Sequence, residues 1–143
     1  MSIETEFAQA GRWFKAARSD LDTARALQGL GRFAPSCFHA QQAAEKAFKG
    51  LLVATGRLPK THSIAQLLRE LPPEPGRQPL LAQAARLDKL YIGTRYPDAL
   101  PEGTEIADAY DAKDAKDAID VAEGAITLLV QWGRELGVPE TDL

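Results

Sequence analysis

Three groups of residues in this chain carry side chains able to do chemistry at a useful spacing. In the first, His39, Gln42, Lys46 and Lys49 recur at intervals of three and four. Such intervals return to one face of an α-helix, so these side chains share a narrow arc with Glu45 at its edge. Lys46 and Lys49 read as cations without a carboxylate partner on that arc, free for phosphate oxygens or an acidic partner. An ordinary wetted helix face is the plainer alternative.

The second group is Thr94-Arg95-Tyr96-Pro97-Asp98. A guanidinium, a phenol and a carboxylate stand together in a turn stiffened by proline, where binding groups are held well. Arginine suits bidentate phosphate contact, and a tyrosine ring can stack on a base. Alternatively the turn is a structural corner, with Asp98 pairing Arg95 and Tyr96 packed on the body of the protein. The third group centres on His62, just before Ser63. Its imidazole is the best general base available for a ribose hydroxyl, because an unperturbed imidazole as a class titrates near neutral pH. A bystander beside a helix start is the competing view.

Other chemistries find no footing. No Gly-rich phosphate loop follows a strand, and no Cys or His cluster has metal-ligand spacing, so neither a metal nor another cofactor is expected. Two histidines and one cysteine leave little room for an activated-nucleophile site. Cys37, alone in an apolar stretch, reads as a small reduced core residue, which points to the cytoplasm. With 17 basic and 20 acidic residues the net charge is −3, so RNA or nucleotide contact must rest on a local patch. Charges at Glu4, Glu6, Arg12, Lys15, Arg18, Asp20 and Asp22 interrupt any leader or membrane span near the start.

The elements that must position these groups are all helical. Ala10, Phe14, Ala17, Leu21 and Ala24 alternate at four and three, predicting a first helix over 6–28 that Gly29-Leu30-Gly31 ends. A second opens near Pro35, runs to about Thr55, and turns Cys37, Ala40, Ala44, Ala47, Phe48 and Leu51 inward. Ser63 and Gln66 suggest a capping box for a short third helix carrying Ile64, Leu67, Leu68 and Leu71. Pro72-Pro73-Glu74-Pro75-Gly76 ends it. A fourth begins near Pro79, shows Leu80, Ala84, Leu87 and Leu90-Tyr91, and stops where Pro97 pushes Tyr96 out of the α region. The fifth re-enters between Thr104 and Asp111 and buries Ala115, Ala118, Ile119, Ala122, Ile126, Leu129 and Val130 until Gly137 and Pro139. The expectation is a single all-α domain over 1–143, an antiparallel bundle of about five helices, four long and one short. Its function depends on whether the cationic side of the second helix and the Arg95 corner converge on a shared cavity.

The run from Phe38 to Lys49, then Thr61-His62-Ser63-Ile64, then Thr94-Arg95-Tyr96-Pro97-Asp98 resemble, in that order, the HEPN domain family. The likeness extends from Trp13 and Asp20-Leu21 to the alanine-rich last helix. It implies an all-α bundle that forms homodimers and acts beside a minimal nucleotidyltransferase, in a toxin–antitoxin or two-component nucleotide-handling pair. Many members are metal-independent ribonucleases that use an arginine and a histidine four to six residues apart, after the third main helix. Here Arg95-Tyr96-Pro97-Asp98 stands at that place and no histidine follows it. The resemblance therefore implies a nucleotide-binding or partner-binding protein using Gln42, Lys46, Lys49, His62, Arg95, Tyr96 and Asp98. The alternative is an endoribonuclease with His62 as base and Arg57 or Arg95 as its cation.

Overall fold

The computed structural model describes residues 2–143. Three long helices form its body: α1 (Ile3–Gly29), α2 (Phe33–Ala54) and a C-terminal helix, Ala112–Leu136. Between α2 and the last helix lie four short ones: α3 (Ile64–Glu70), α4 (Gln78–Ala84), α5 (Leu90–Gly93) and α6 (Ile106–Ala109). The C-terminal helix is therefore α7. Among the described residues there is no strand, and no helix is long and apolar enough to cross a membrane.

The helical periodicity in the sequence marks the core well in the long elements. Every inward residue expected on α1, α2 and α7 is buried, and α2 is buried on most of its circumference because it packs against both α1 and α7. Glycine permits this close approach. A Cβ on Gly50 of α2 would come within 2.9 Å of the Phe14 ring of α1, and one on Gly133 of α7 within 3.2 Å of the same ring. Phe14 therefore seats against bare backbone on two neighbours, and packing at this density leaves no space for added methyl groups.

The fourth predicted helix is not one long α-helix. A 3₁₀ stretch at Ala85–Lys89 separates α4 from α5, so the bundle has three long helices rather than four. The core residues there are Leu81, Ala84, Leu87 and Leu90, while Leu80 is 59% exposed. Their spacing of three is the 3₁₀ repeat, in which every third side chain eclipses. A period of 3.6 had selected Leu80 instead. The fifth predicted helix is also interrupted. Tyr110 is extended after α6, and Asp111 starts α7 with a reciprocal capping box to Asp114.

Cys37 lies fully buried on α2. Burial pushes its thiol up to about 12, and the carboxylates of Asp114 and Asp111 add to the rise. Thiolate then forms only above that pH, so at pH 8 the native protein is expected to resist a thiol-alkylating reagent. Labelling should proceed only as fast as the protein unfolds, and mass spectrometry in native buffer and in denaturant checks this.

Candidate functional site

The sequence groups meet on one stripe of α2. Phe38, Gln42, Glu45 and Lys49 follow each other at four, three and four residues, and this stripe faces the segment carrying Tyr91 and Arg95. At its centre Glu45 is 2% exposed. Its Oε1 accepts a hydrogen bond from Gln41 Nε2 at 3.3 Å, and its Oε2 meets Lys49 Nζ at 3.0 Å and His62 Nδ1 at 3.3 Å. Gln42 Nε2 donates in turn to Gln41 Oε1 at 2.7 Å. Lys49 is itself 7% exposed, and its ammonium lies 5.5 Å from the centre of the Trp13 ring. A buried charge pair of this kind persists because each ion has further partners.

Neither lysine is the free cation that the sequence suggested. Lys49 pairs with Glu45 one turn before it, and Lys46 lies 2.5 Å from Asp20 Oδ2 of α1. That oxygen is buried and has no aligned hydrogen bond, so the contact is an ion pair rather than a directional bond. His39 Nδ1 meets the other Asp20 oxygen at 3.3 Å. The arc expected to act as one cationic face thus splits, with His39 and Lys46 turned to α1 while Gln42 and Lys49 enter the Glu45 network.

Arg95 remains an exposed cation with no carboxylate in ion-pair distance among the described residues. The structural-corner alternative, with Asp98 pairing Arg95, does not hold: Asp98 lies exposed in the 3₁₀ turn Pro97–Ala99. Three aromatic rings hold the guanidinium instead, centred 5.1 Å away for Phe38, 5.3 Å for Tyr91 and 5.0 Å for Tyr96. Ring faces attract a cation without using its N–H donors, so those donors stay available to an anion. As expected before proline, Tyr96 is extended, and it is 45% exposed rather than packed on the bundle. Tyr91 also stacks on His62, with centroids 5.3 Å apart and planes at 15°. Tyr91 thereby joins the turn and the histidine into one patch. Arg57 contributes to a different place, a cleft of about 270 Å³ with Glu6, Val53, Gly56 and Leu58.

The convergence occurs on an open aromatic and cationic surface, not in a closed cavity. A groove of about 470 Å³ does exist, between Arg86 and Lys89 on one wall and Asp114, Asp117 and Asp120 on the other, but it shares none of the site residues. Two of those aspartates already pair with Lys113 and Lys116. The Arg95 patch is the better candidate because it gathers a cation held by three rings with the His62 imidazole on one of those rings.

Sequence reasoning missed Asp88, which anchors the start of α3 beside His62. Its Oδ1 accepts from the Ile64 amide at 2.7 Å, and its Oδ2 from the Ala65 amide at 3.0 Å and the Ser63 hydroxyl at 3.2 Å. A carboxylate from the 3₁₀ stretch thus caps α3 and ties the His62 segment to the Tyr91 segment. Ser63 Oγ caps the Gln66 amide as expected, but the Gln66 side chain accepts from Arg69 instead of completing the box. Replacing Asp88 with alanine is expected to cost about 1–2 kcal/mol, the usual range for losing a cap. Hydrogen exchange at the Ile64 and Ala65 amides should accelerate in the same variant, which localises the loss to this junction.

Comparison with known proteins agrees with this architecture. The sequence profile of the HEPN domain family matches residues 10–133. The chain is similar to TT1696 from Thermus thermophilus, whose crystal structure aligns with a TM-score of 0.78 at 42% identity over 86% of this chain and 97% of that one. It is also similar to ST0689, described as an archaeal HEPN homologue, with a TM-score of 0.71 at 34% identity over 87% of this chain and 97% of the other. No curated protein matches the chain.

Proposed function

The chain belongs to the HEPN domain family, and from that premise we propose that it is a nucleotide-binding protein whose site is the patch formed by Arg95, His62 and Tyr96. One observation carries the reading: Arg95 is an exposed guanidinium fixed by three ring faces, with its donors unspent. Such a group is preorganised for phosphate oxygens, since holding it in place costs nothing further on binding. Tyr96, half in solvent beside it, offers a stacking face for a base. Gln42 braces Gln41 beneath the site, and Lys46 and Lys49 are committed to Asp20 and Glu45, so phosphate contact falls to Arg95. Asp98 lies on the rim of the turn as a polar group for the ligand. Titration calorimetry with a panel of nucleotides tests the proposal; absence of heat with the wild type, or an unchanged affinity in Arg95→Ala, overturns it.

The protein acts in this reading as a cytoplasmic homodimer beside a minimal nucleotidyltransferase, in a two-component system of the toxin–antitoxin kind. The family resemblance supports that setting. Co-purification with such an enzyme encoded nearby, and light scattering for the dimer, are the direct checks. A second reading, a metal-independent endoribonuclease, is favoured by the shared contact of His62 and Arg95 with the Tyr91 ring. A potential base and a cation able to stabilise a phosphorane thus border one ring. RNA cleavage in chelator that is lost in both His62→Ala and Arg95→Ala, yet kept in Arg57→Ala, would establish it.

A further inference from the structure

The His62 ring is 62% exposed, yet one of its nitrogens points at a carboxylate that is 3% exposed. The direction of the hydrogen bonds around that carboxylate is constrained from behind. Gln41 is fully buried, and its amide oxygen already accepts from Gln42, so its amide nitrogen is the group that faces Glu45. Lys49 has only donors to offer. Glu45 is thus the acceptor in every other contact it makes, and the remaining contact, to His62 Nδ1 at 3.3 Å, has a donor's place open on the histidine side.

From this we infer that Glu45 is a positioning residue that holds His62 in the Nδ1–H tautomer, leaving Nε2 as a hydrogen-bond acceptor on the patch where Tyr91 contacts both His62 and Arg95. The in-plane bonding directions of the two ring nitrogens diverge widely, so fixing one to the buried carboxylate turns the other away from it. Stacking on Tyr91 fixes the plane of the ring, and the Glu45 contact selects which edge of it faces inward. Next to a phosphate held by Arg95, an outward acceptor selects a ligand hydroxyl. On the nucleotide reading above, on which this consequence rests, that group is the ribose 2′-hydroxyl, so the site prefers ribonucleotides to deoxyribonucleotides.

The test reads the tautomer directly. The chain has two histidines, so ¹⁵N-edited NMR of the imidazole nitrogens gives two ring patterns, assigned with His39→Gln. At pH values where its own titration shows the ring neutral, His62 is expected to show a protonated Nδ1 and an unprotonated Nε2. A predominantly protonated Nε2 overturns the inference. Replacing Glu45 alone strands a buried ammonium and risks unfolding, so the informative variant is Glu45→Leu with Lys49→Leu, which removes both charges. In that variant the Nδ1–H pattern is expected to disappear while the fold persists; its retention would deny Glu45 the role.

Calorimetry supplies the second readout. The wild type is expected to bind a ribonucleotide roughly three- to tenfold more tightly than its 2′-deoxy counterpart, the worth of one neutral hydrogen bond, and the double variant to bind both alike. Equal affinities in the wild type overturn the ribose preference. If the wild type shows the Nδ1–H tautomer but binds neither nucleotide, the nucleotide reading fails while the role of Glu45 stands.

Discussion

Exchanging Arg95 for alanine is expected to weaken nucleotide binding by about ten- to a hundredfold, the range for losing a charge-assisted hydrogen bond worth roughly 1.5–3 kcal/mol. The same change should leave thermal stability almost untouched. Arg95 is exposed, has no ion-pair partner among the described residues, and touches the rings of Phe38, Tyr91 and Tyr96 through their faces. Those cation–ring contacts at the surface contribute about 0.5–1 kcal/mol. Arg95→Lys separates charge from shape: an ammonium keeps the positive charge but cannot present a planar fork of donors while lying flat on rings. Partial recovery of affinity by lysine would indicate that charge dominates, and none that bidentate geometry does. Calorimetry beside thermal unfolding of the three proteins distinguishes a binding role from a structural one.

Replacing Glu45 with alanine should have the opposite profile, a large loss of stability wherever binding is measured. Lys49 is 7% exposed, and Glu45 is its carboxylate partner. Removing that partner leaves an uncompensated buried cation, at a cost of about 3–5 kcal/mol. For a chain of this size such a loss lowers Tm by on the order of 10 °C. Adding Lys49→Leu to a Glu45→Leu background should restore most of it, because replacing both ions by apolar groups is often neutral. The double-mutant cycle would therefore show strong non-additivity. Additive losses would mean that Lys49 reaches water when its partner is gone, and that the Glu45 network is not closed from below.

These two outcomes divide the site into its working layers. Arg95, His62 and Tyr96 face the solvent, and the groups that aim them lie underneath: Glu45 under His62, Phe38 and Tyr91 under Arg95, and Asp88 where the two segments join. The outer residues should affect affinity with little change in stability. The inner ones should affect both, because disturbing them moves the surface groups by disrupting packing.

Much of the fold was written in local patterns. Phe14, Ala17, Leu21 and Ala24 mark the core face of α1 by spacing alone, and Gly137, at a φ of 106°, ends α7 where a left-handed residue was needed. Such signals are legible because helix periodicity and capping involve residues within a few positions of one another. The same locality explains the error at Leu80, where a 3₁₀ segment replaces the α-helical period over a few residues without a distinctive composition. The candidate residues His62, Arg95 and Tyr96 could be named from their chemistry. Their alliance could not, because Tyr91 read as part of the inward face of a helix and Phe38 only as the first residue of the run that resembles the family. What the tertiary structure alone decided is which charges are spent. Asp20 reaches Lys46 from another helix, Asp88 caps α3 across 23 to 25 residues of sequence, and Glu45 takes His62 from 17 positions away. Pairings of this kind depend on distances that arise only when helices dock, so the sequence determined the inventory of functional groups and packing determined which of them remained free to act.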